Sequence, residues 1–427
     1  MTETITQTTL SNGLKVLLKE IHTAPLTSSW VWYRVGSRDE VNGRTGISHW
    51  VEHMQFKGTP QFPANVLDKA VSREGGMWNA FTYLDWTTYF ETMPADKIDL
   101  GLRLEADRMV NSMFDEGEVA SERTVVISER EGNENEPRFL LGEAVQGAAF
   151  RVHGYHHEVI GDLADLHSMT RDNLYDHYKT YYVPNNAVMA VAGDFETDQM
   201  LTRIKELFEP IPAGGDIQRL ARPEPEQKGE IRLSVDGPGE TTYVQACYHF
   251  PNASHPDFFP LSVLDSLLAG PSNLNFFGGG ISNKTSRLYR ALVDKELTVS
   301  IGGGAQATID PFLYTISMTL HPQRKPEDAL SALDDEIKRI QDEIVGEDEV
   351  ARAIKQARAI FAYGSENITN QGFWMGYAEM FADYNWFLTY LENLAAVTPA
   401  EVQRVAQQYL QPRSRVVGTY IPTSGEA

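Results

Sequence analysis

Cysteine is almost absent from this 427-residue sequence, in which Cys247 is the single example. One cysteine cannot form an intrachain disulfide, and this fits a protein that works in a reducing compartment. The surrounding stretch "YVQACYHF" is typical of a buried strand. We therefore expect Cys247 to be an inert packed thiol rather than a nucleophile.

Positive charge is also scarce, because 37 Lys and Arg residues stand against 59 Asp and Glu residues, and the formal net charge is −22 at pH 7. Nucleic acids and anionic membranes bind basic protein surfaces, so we expect neither as a partner. The acidic charge attracts cationic peptides if it lines a cavity. It only aids solubility if it is spread over the outside.

Long apolar runs are missing as well. No segment approaches the roughly 18 uninterrupted apolar residues that a transmembrane helix requires. The opening residues "MTETITQTTLSNG" contain no basic stretch followed by an apolar run, which is how an export signal begins. These absences predict a cytoplasmic location.

The sequence that remains mixes strand and helix patterns. Alternating stretches such as "LKVLLKEI" and "SSWVWYRVG" predict strands, whereas "FPANVLDKAVSR" and "EDALSALDDEIKRIQDEIV" carry apolar residues at helical spacing. The predicted class is α+β, with helices packed on mixed or antiparallel sheets. The stretch "IPAGGDIQRLARPEPEQKGE" is rich in Gly, Pro and charge, and it predicts an exposed linker at 213–229 between domains 1–212 and 230–427.

The two halves resemble each other. Thr170 and Thr398 each precede an amphipathic helix that ends in Tyr, and a proline break (Pro184, Pro412) and a Val-rich strand follow in both. The constant offset suggests that one α/β unit was duplicated. The histidine motif described next occurs only in the first copy, so the second is predicted to be a non-catalytic wall or lid.

The stretch "GISHWVEHMQFKGT" places His49, Glu52 and His53 within five residues. Residues i, i+3 and i+4 of a helix share one face, and two imidazoles one turn apart chelate a single Zn²⁺ well. A carboxylate on the same face can reach metal-bound water. The alternative is a pair of histidines on an ordinary helix, but chance produces His-x-x-Glu-His in roughly one such sequence in fifty.

A third ligand is expected from the helix-like stretch "EGEVASERTVVISEREG". Glu122 and Glu129 lie seven residues apart, nearly two turns, so both carboxylates point to one side. One of them can ligate a metal while the other hydrogen-bonds a ligand. A solvated acidic helix face is the competing interpretation.

These motifs, together with "GGMWNAFTYLDWTTYFETMP" and "YYVPNNAVMAVAGD", resemble the pitrilysin-like inverzincin (M16) metallopeptidases, in particular short bacterial members similar to processing-peptidase subunits. The resemblance implies one Zn²⁺ per chain, held by His49, His53 and Glu129, with Glu52 as general base and Glu122 supporting a ligand. It also implies that the chain forms half of a clamshell chamber. The predicted function is a zinc-dependent endopeptidase subunit that cleaves peptides or unfolded segments, although manganese or cobalt can occupy such a site.

The stretch "GGMWNAFTYLDWTTYF" suggests a turn followed by a strand. In the family the equivalent strand is a sheet edge that pairs with the substrate backbone, which implies a substrate-binding edge at Asn79, Ala80, Phe81 and Thr82. The alternative is an internal strand that contributes aromatic side chains to the core.

The histidines of "RVHGYHHEVIGD", namely His153, His156 and His157, resemble a second metal cluster. In the family this stretch is a structural loop. We therefore expect loop structure here rather than a second metal.

One departure from the family pattern concerns an Arg and a Tyr that stabilise the oxyanion in active members. The corresponding text "RLYRALVDKELTVSI" places Val293 and Val299 near those positions. We therefore expect a heterodimer with a homologous subunit that carries the pair, or else a homodimer. Substitution by Arg287, Tyr289 or Arg290 within the chain is a further option. The alternative function is a non-catalytic peptide-binding or scaffold subunit.

Overall fold

The computed structural model describes residues 5–219, 221–271 and 282–423. Contacts divide the chain into two compact units. The first unit comprises Met1–Glu131, His157–Arg222 and Ser365–Phe387, and the second comprises Gly132–His156, Pro223–Gly364 and Leu388–Ala427. Each unit holds one sheet packed with helices, so the predicted α+β class is confirmed.

The sheet of the first unit has six strands in the order β1-β2-β6-β3-β5-β4. β6 runs parallel to β2 and antiparallel to β3, whereas β4 lies at the edge beside β5. The whole of β6, "AVMAVAG", is buried, as expected for a central strand with both faces covered. The strands are β1 (Thr6–Thr9), β2 (Lys15–Glu20), β3 (Leu26–Tyr33), β4 (Met77–Thr82), β5 (Thr87–Pro94) and β6 (Ala187–Gly193).

The sheet of the second unit has five strands in the order β7-β11-β8-β10-β9. β11 runs parallel to β7 and antiparallel to β8, which repeats the placement of β6 between β2 and β3. The duplicated α/β unit predicted from the sequence is therefore confirmed. The strands are β7 (Ile231–Pro238), β8 (Tyr243–Phe250), β9 (Thr298–Gly304), β10 (Phe312–Leu320) and β11 (Arg415–Thr423).

Fourteen α-helices lie in the part of the chain that the structure describes. Thr170 and Thr398 cap the helices that precede the two central strands, and each closes a capping box with the residue three positions later, as the sequence predicts. The helices are α1 (Ile47–Met54), α2 (Ala64–Arg73), α3 (Ile98–Asn111), α4 (Glu116–Glu134), α5 (Pro137–Ala149), α6 (Leu163–Ser168), α7 (Arg171–Tyr181), α8 (Thr197–Phe208), α9 (Phe258–Leu268), α10 (Pro326–Asp342), α11 (Glu347–Gly364), α12 (Ile368–Phe381), α13 (Tyr384–Ala395) and α14 (Pro399–Tyr409).

Two helices are exchanged between the sequence halves. α5 comes from the first half but packs on β7, β8 and β11, and α12 comes from the second half but packs on β3 and β6. Gly372 and Gly376 allow α12 to approach closely, because a Cβ at either position would overlap the indole of Trp30 or Trp32. Each compact unit is thus built from segments of both sequence halves. The domain boundaries 1–212 and 230–427 describe the repeated halves of the sequence, and they stay a prediction.

The core of the first unit forms where α1 and α3 cover one face of its sheet and α7 packs on α1, with Trp50, Tyr89 and Tyr178 among the buried side chains. In the second unit Cys247 is buried on β8, and burial raises the pKa of its thiol to about 12, which fits an inert thiol. None of the helices within the described ranges is long and apolar enough to cross a bilayer.

Candidate metal centre

α1 presents the histidine motif. Its buried residues Trp50, Val51 and Met54 belong to the core of the first unit, and this leaves the opposite face for His49, Glu52 and His53. The helix begins after Gly46, whose positive φ of 84° suits glycine. The predicted helix and its shared face are therefore present in the structure.

α4 supplies the carboxylates. Glu122 is buried, whereas the side chain of Glu129, two turns later on the same side, is 44% exposed. The seven-residue spacing therefore places both carboxylates on the side of α4 that faces the histidines, as expected from the sequence. One carboxylate lies among protein groups, and the other is open to solvent.

The structure brings His49, His53 and Glu129 together. One potential ligand atom from each lies within 4.8 Å of the others, and no second group of this kind occurs in residues 5–219, 221–271 and 282–423. Nε2 of His49 is 3.9 Å from Oε1 of Glu129, and Nε2 of His53 is 3.6 Å from Oε2. Tetrahedral zinc with bonds near 2.0 Å holds its ligand atoms roughly 3.3 Å apart, so the three side chains fit a zinc ion after a small closure.

Glu122 fixes the ring of His53. Its Oε1 lies 2.9 Å from Nδ1 of His53, and its other oxygen contacts the ammonium of Lys57. Although burial raises the pKa of Glu122, the hydrogen bonds from His53 and Lys57 lower it more, so the carboxylate is charged. A proton on Nδ1 leaves the lone pair of Nε2 facing Glu129, which is the tautomer that metal binding requires.

The two imidazoles differ in their surroundings. Burial, with a smaller contribution from His53, lowers the pKa of His49 to about 3, so its ring is neutral. Burial also lowers the pKa of His53, but Glu122 and the nearby carboxylates Glu52 and Glu129 raise it on balance. The carboxylates around His53 therefore favour a positive charge beside them.

Glu52 lies on the same face and is 8% exposed. Burial raises the pKa of its carboxyl to about 7, against the lowering effect of Thr82, whose hydroxyl donates a 2.9 Å hydrogen bond to Oε2. A carboxyl with a pKa near neutrality can both accept and release a proton at working pH. Thr82, predicted only as a substrate contact, thus also orients Glu52.

β4 is an edge strand, and within the described part of the chain it pairs only with β5. The amide of Tyr83 donates to the carbonyl of Trp86, so the alternation of an antiparallel ladder turns the backbone groups of Thr82, Ala80 and Trp78 outward. The amide of Ala80 indeed donates to Oδ1 of Asn79 instead of to β5. The structure therefore places the predicted substrate residues on the strand at the edge of the sheet rather than inside it.

Phe81 and Trp78 on β4 are half-buried. Phe81 stacks on Phe90, and Trp78 contacts the ring of Phe56, so both aromatics also support the fold. The packing interpretation therefore applies to these two aromatics, and the substrate-binding interpretation stays a prediction.

Val293 and Val299, which the sequence analysis places near the expected Arg and Tyr, have no polar side-chain atoms. Val293 ends a π-helical turn, Tyr289–Val293, and Val299 on β9 is 52% exposed. Arg287 directs two hydrogen bonds of 2.9 and 2.7 Å to Glu349, so its guanidinium is already engaged.

Sequence reasoning missed two groups near the site. Lys57 contacts Glu122, and its position one helical turn after His53 was an available signal. Glu40 accepts hydrogen bonds at the start of α1, and no local periodicity pointed to it.

Comparison with known proteins places these observations in a family. The model described as "Insulinase (Peptidase family M16)" matches residues 15–163, and the model described as "Peptidase M16 inactive domain" matches residues 168–357. The zinc protease PqqE of Helicobacter pylori is 32% identical over 303 residues, which cover 68% of this chain and 64% of that protein. An uncharacterized zinc protease of Mycobacterium leprae is 27% identical over 430 residues, which cover 97% of this chain and 92% of that protein.

Solved structures of peptidases also match this chain in fold. A protease from Helicobacter pylori matches with a TM-score of 0.91 at 26% identity, over 98% of this chain and 100% of that one. A putative M16-like peptidase from Alicyclobacillus acidocaldarius matches with a TM-score of 0.83 at 18% identity over 99% of both chains, and it shows a shared fold.

Proposed function

Because this chain belongs to the insulinase family of peptidases, M16, we propose that its first unit carries a zinc-dependent endopeptidase centre. The supporting observation is that ligand atoms of His49, His53 and Glu129 lie close together, beside the buried carboxyl of Glu52. These three side chains hold one Zn²⁺ per chain, and Glu52 is the general base. Glu122 keeps His53 in the ligating tautomer.

When bound, the zinc ion supplies Lewis-acid polarisation of a water molecule and of the peptide carbonyl. Glu52 accepts the proton of the attacking water and then donates it to the leaving nitrogen, as its near-neutral pKa permits. The hydroxyl of Thr82 holds the Glu52 carboxylate in place during both transfers.

The outer side of edge strand β4 binds the substrate backbone as an added strand at Asn79, Ala80, Phe81 and Thr82. Main-chain pairing tolerates many sequences, which suits extended peptides or unfolded segments. Because the amide of Ala80 points away from β5, Ala80→Pro removes one outward donor and leaves the internal ladder intact. We expect KM to rise about tenfold, the value of one hydrogen bond. An unchanged KM would show that substrate does not pair there.

A partner subunit completes the centre. The valines at positions 293 and 299 cannot stabilise an oxyanion, and such a contribution is worth roughly 3 kcal/mol. A heterodimer with a homologous chain that carries the Arg and Tyr is the first choice, and a homodimer is the second. Adding the homologous chain should raise turnover of a quenched basic peptide about a hundredfold. Full activity of the isolated chain would remove the need for a partner.

The decisive test of the centre compares Glu52→Gln with the wild type, measuring bound zinc and peptide turnover in the same preparation. Glu52→Gln should keep the zinc and lose at least about a hundredfold in rate, because only the base is removed. Glu118→Gln, an exposed substitution on α4, is the control and should change neither value. Retained turnover in zinc-loaded Glu52→Gln would exclude Glu52 as the base.

A non-catalytic peptide-binding or scaffold subunit is the second candidate function. It is favoured by Val293 and Val299 and by the match of residues 168–357 to an inactive domain. A chain that binds no zinc would support this candidate.

The cytoplasmic location expected from the sequence also stays a prediction, and cell fractionation tests it.

A further inference from the structure

The histidine-rich stretch at 151–162 does not form a metal cluster, because its three histidines have different partners. Nε2 of His153 lies 3.1 Å from Oδ2 of Asp310, and Nδ1 of His156 lies 3.0 Å from the carbonyl of His153. His157 belongs to the first unit, where its Nε2 lies 3.6 Å from Oε2 of Glu40. The contact between His157 and Glu40 joins this stretch to the start of α1, because Glu40 binds the first amides of that helix.

The start of α1 is capped by a side chain from the loop just before it. Gly46 occupies the N-cap position and has no side chain to offer, so the first amides of the helix need another acceptor. Glu40 provides it, because its two oxygens accept hydrogen bonds from the amides of Gly46 at 2.7 Å and Ser48 at 2.8 Å. The Glu40 side chain is wholly buried, so water cannot replace it there.

The chain just before α1 is held by the segment that follows His157. Oδ2 of Asp165 accepts from the amides of Gly43 and Thr45 and from the hydroxyl of Thr45, at 2.7 to 3.1 Å. The amide of Asp162 in turn donates to the hydroxyl of Thr45 at 2.9 Å. Residues 157–165 and Glu40 therefore act together on the entry to α1.

The contact between His157 and Glu40 is longer than a hydrogen bond, because Nε2 and Oε2 lie 3.6 Å apart. Nδ1 of His157 lies 3.0 Å from the carbonyl oxygen of Glu158, which can only accept, so Nδ1 carries a hydrogen. Nε2 then faces Oε2 of Glu40, and a proton on it attracts a charged Glu40 carboxylate. The hydrogen bonds from the amides of Gly46 and Ser48 keep the Glu40 side chain turned toward the helix.

We infer that Glu40, which His157 contacts, is a positioning residue for the metal centre: it fixes the first turn of α1 and thereby the placement of His49. His49 follows Ser48 directly, so a shift of the Ser48 amide moves the imidazole that must reach the metal. This inference rests on the proposed function and adds a role for the histidine-rich stretch within it.

The test measures zinc affinity by competition with a chromophoric chelator, in full-length wild type, Glu40→Gln and the control Glu379→Gln. Glu379 is also a buried carboxylate of the first unit, but it binds Lys15 and the amide of Tyr384 and lies away from α1. Gln at position 40 keeps the size of the side chain and loses one of its two acceptors. We expect zinc affinity to fall about tenfold in Glu40→Gln and to stay within twofold in Glu379→Gln.

A second readout separates positioning from general loss of stability. The cobalt-substituted Glu40→Gln protein should show altered d–d absorption bands, because the ligand geometry changes, while Glu379→Gln keeps the wild-type spectrum. If Glu40→Gln fails to fold, His157→Gln serves instead and should weaken zinc binding about threefold. Wild-type affinity and spectrum in the folded variant, or an equal loss in Glu379→Gln, would overturn the inference. Failure of the wild type to bind zinc would overturn the proposed function with it.

Discussion

Replacing Glu52 with Gln should stabilise the metal-free protein even though it removes the proposed base. Glu52 is 8% exposed, and burial raises the pKa of its carboxyl from 4.5 to about 7. At about 1.4 kcal/mol per pH unit, this difference corresponds to about 3 kcal/mol that the folded state loses by holding the charge. Gln carries no charge and keeps an oxygen for the hydroxyl of Thr82.

The effect has a definite pH dependence. Above pH 7 Glu52 is charged in both the folded and the unfolded chain, so the folded state bears the whole penalty. Below pH 4.5 the carboxyl is neutral in both states, and the penalty disappears. The gain in the free energy of unfolding for Glu52→Gln should therefore be under about 1 kcal/mol at pH 5 and about 3 kcal/mol at pH 8.

Urea unfolding of chelator-treated protein measures this gain. All seven tryptophans lie in segments of the first unit, so their fluorescence reports the unfolding of the unit that contains Glu52. The exposed substitution Glu118→Gln should give no pH-dependent change. An equal gain at pH 5 and pH 8, or a loss of stability at both, would refute the conclusion that burial controls the charge of Glu52.

Three other outcomes are expected. Glu122→Gln should weaken zinc binding by about 10- to 100-fold in chelator competition, because a neutral Gln side chain no longer fixes the tautomer of His53. Wild-type zinc affinity in this variant would contradict the role given to Glu122. Gly376→Ala should destabilise the first unit by about 1–3 kcal/mol, because its methyl meets the indole of Trp32, while Gly142→Ala on α5, with open space around it, should stabilise slightly. Gly46→Ala should lower the thermal midpoint, because an alanine there has φ near +84° and meets the Ile160 carbonyl, and an unchanged midpoint would show that the backbone adjusts freely.

Much of the candidate site could be predicted because its spacing is local. The i, i+3, i+4 arrangement of His49, Glu52 and His53 and the seven-residue spacing on α4 depend only on helix geometry. The capped helices at Thr170 and Thr398 could be predicted for the same reason.

Two roles that the sequence did not indicate are filled by residues outside α1. Thr82 orients Glu52 from the end of β4, and Glu40 caps α1 across a loop, so neither follows a period along the sequence. The exchange of α5 and α12 was also hidden, because an apolar helix face indicates that a sheet is near without indicating which one.

Patterns along the chain already specify the reactive groups: the two imidazoles, the carboxylates on α4 and the duplicated α/β unit that carries them. Packing sets the distances between α1 and α4, the edge position of β4 and the pKa near 7 at Glu52. The reason is physical, because helical periodicity acts between neighbours in sequence, whereas desolvation and the meeting of side chains depend on every element packed around them.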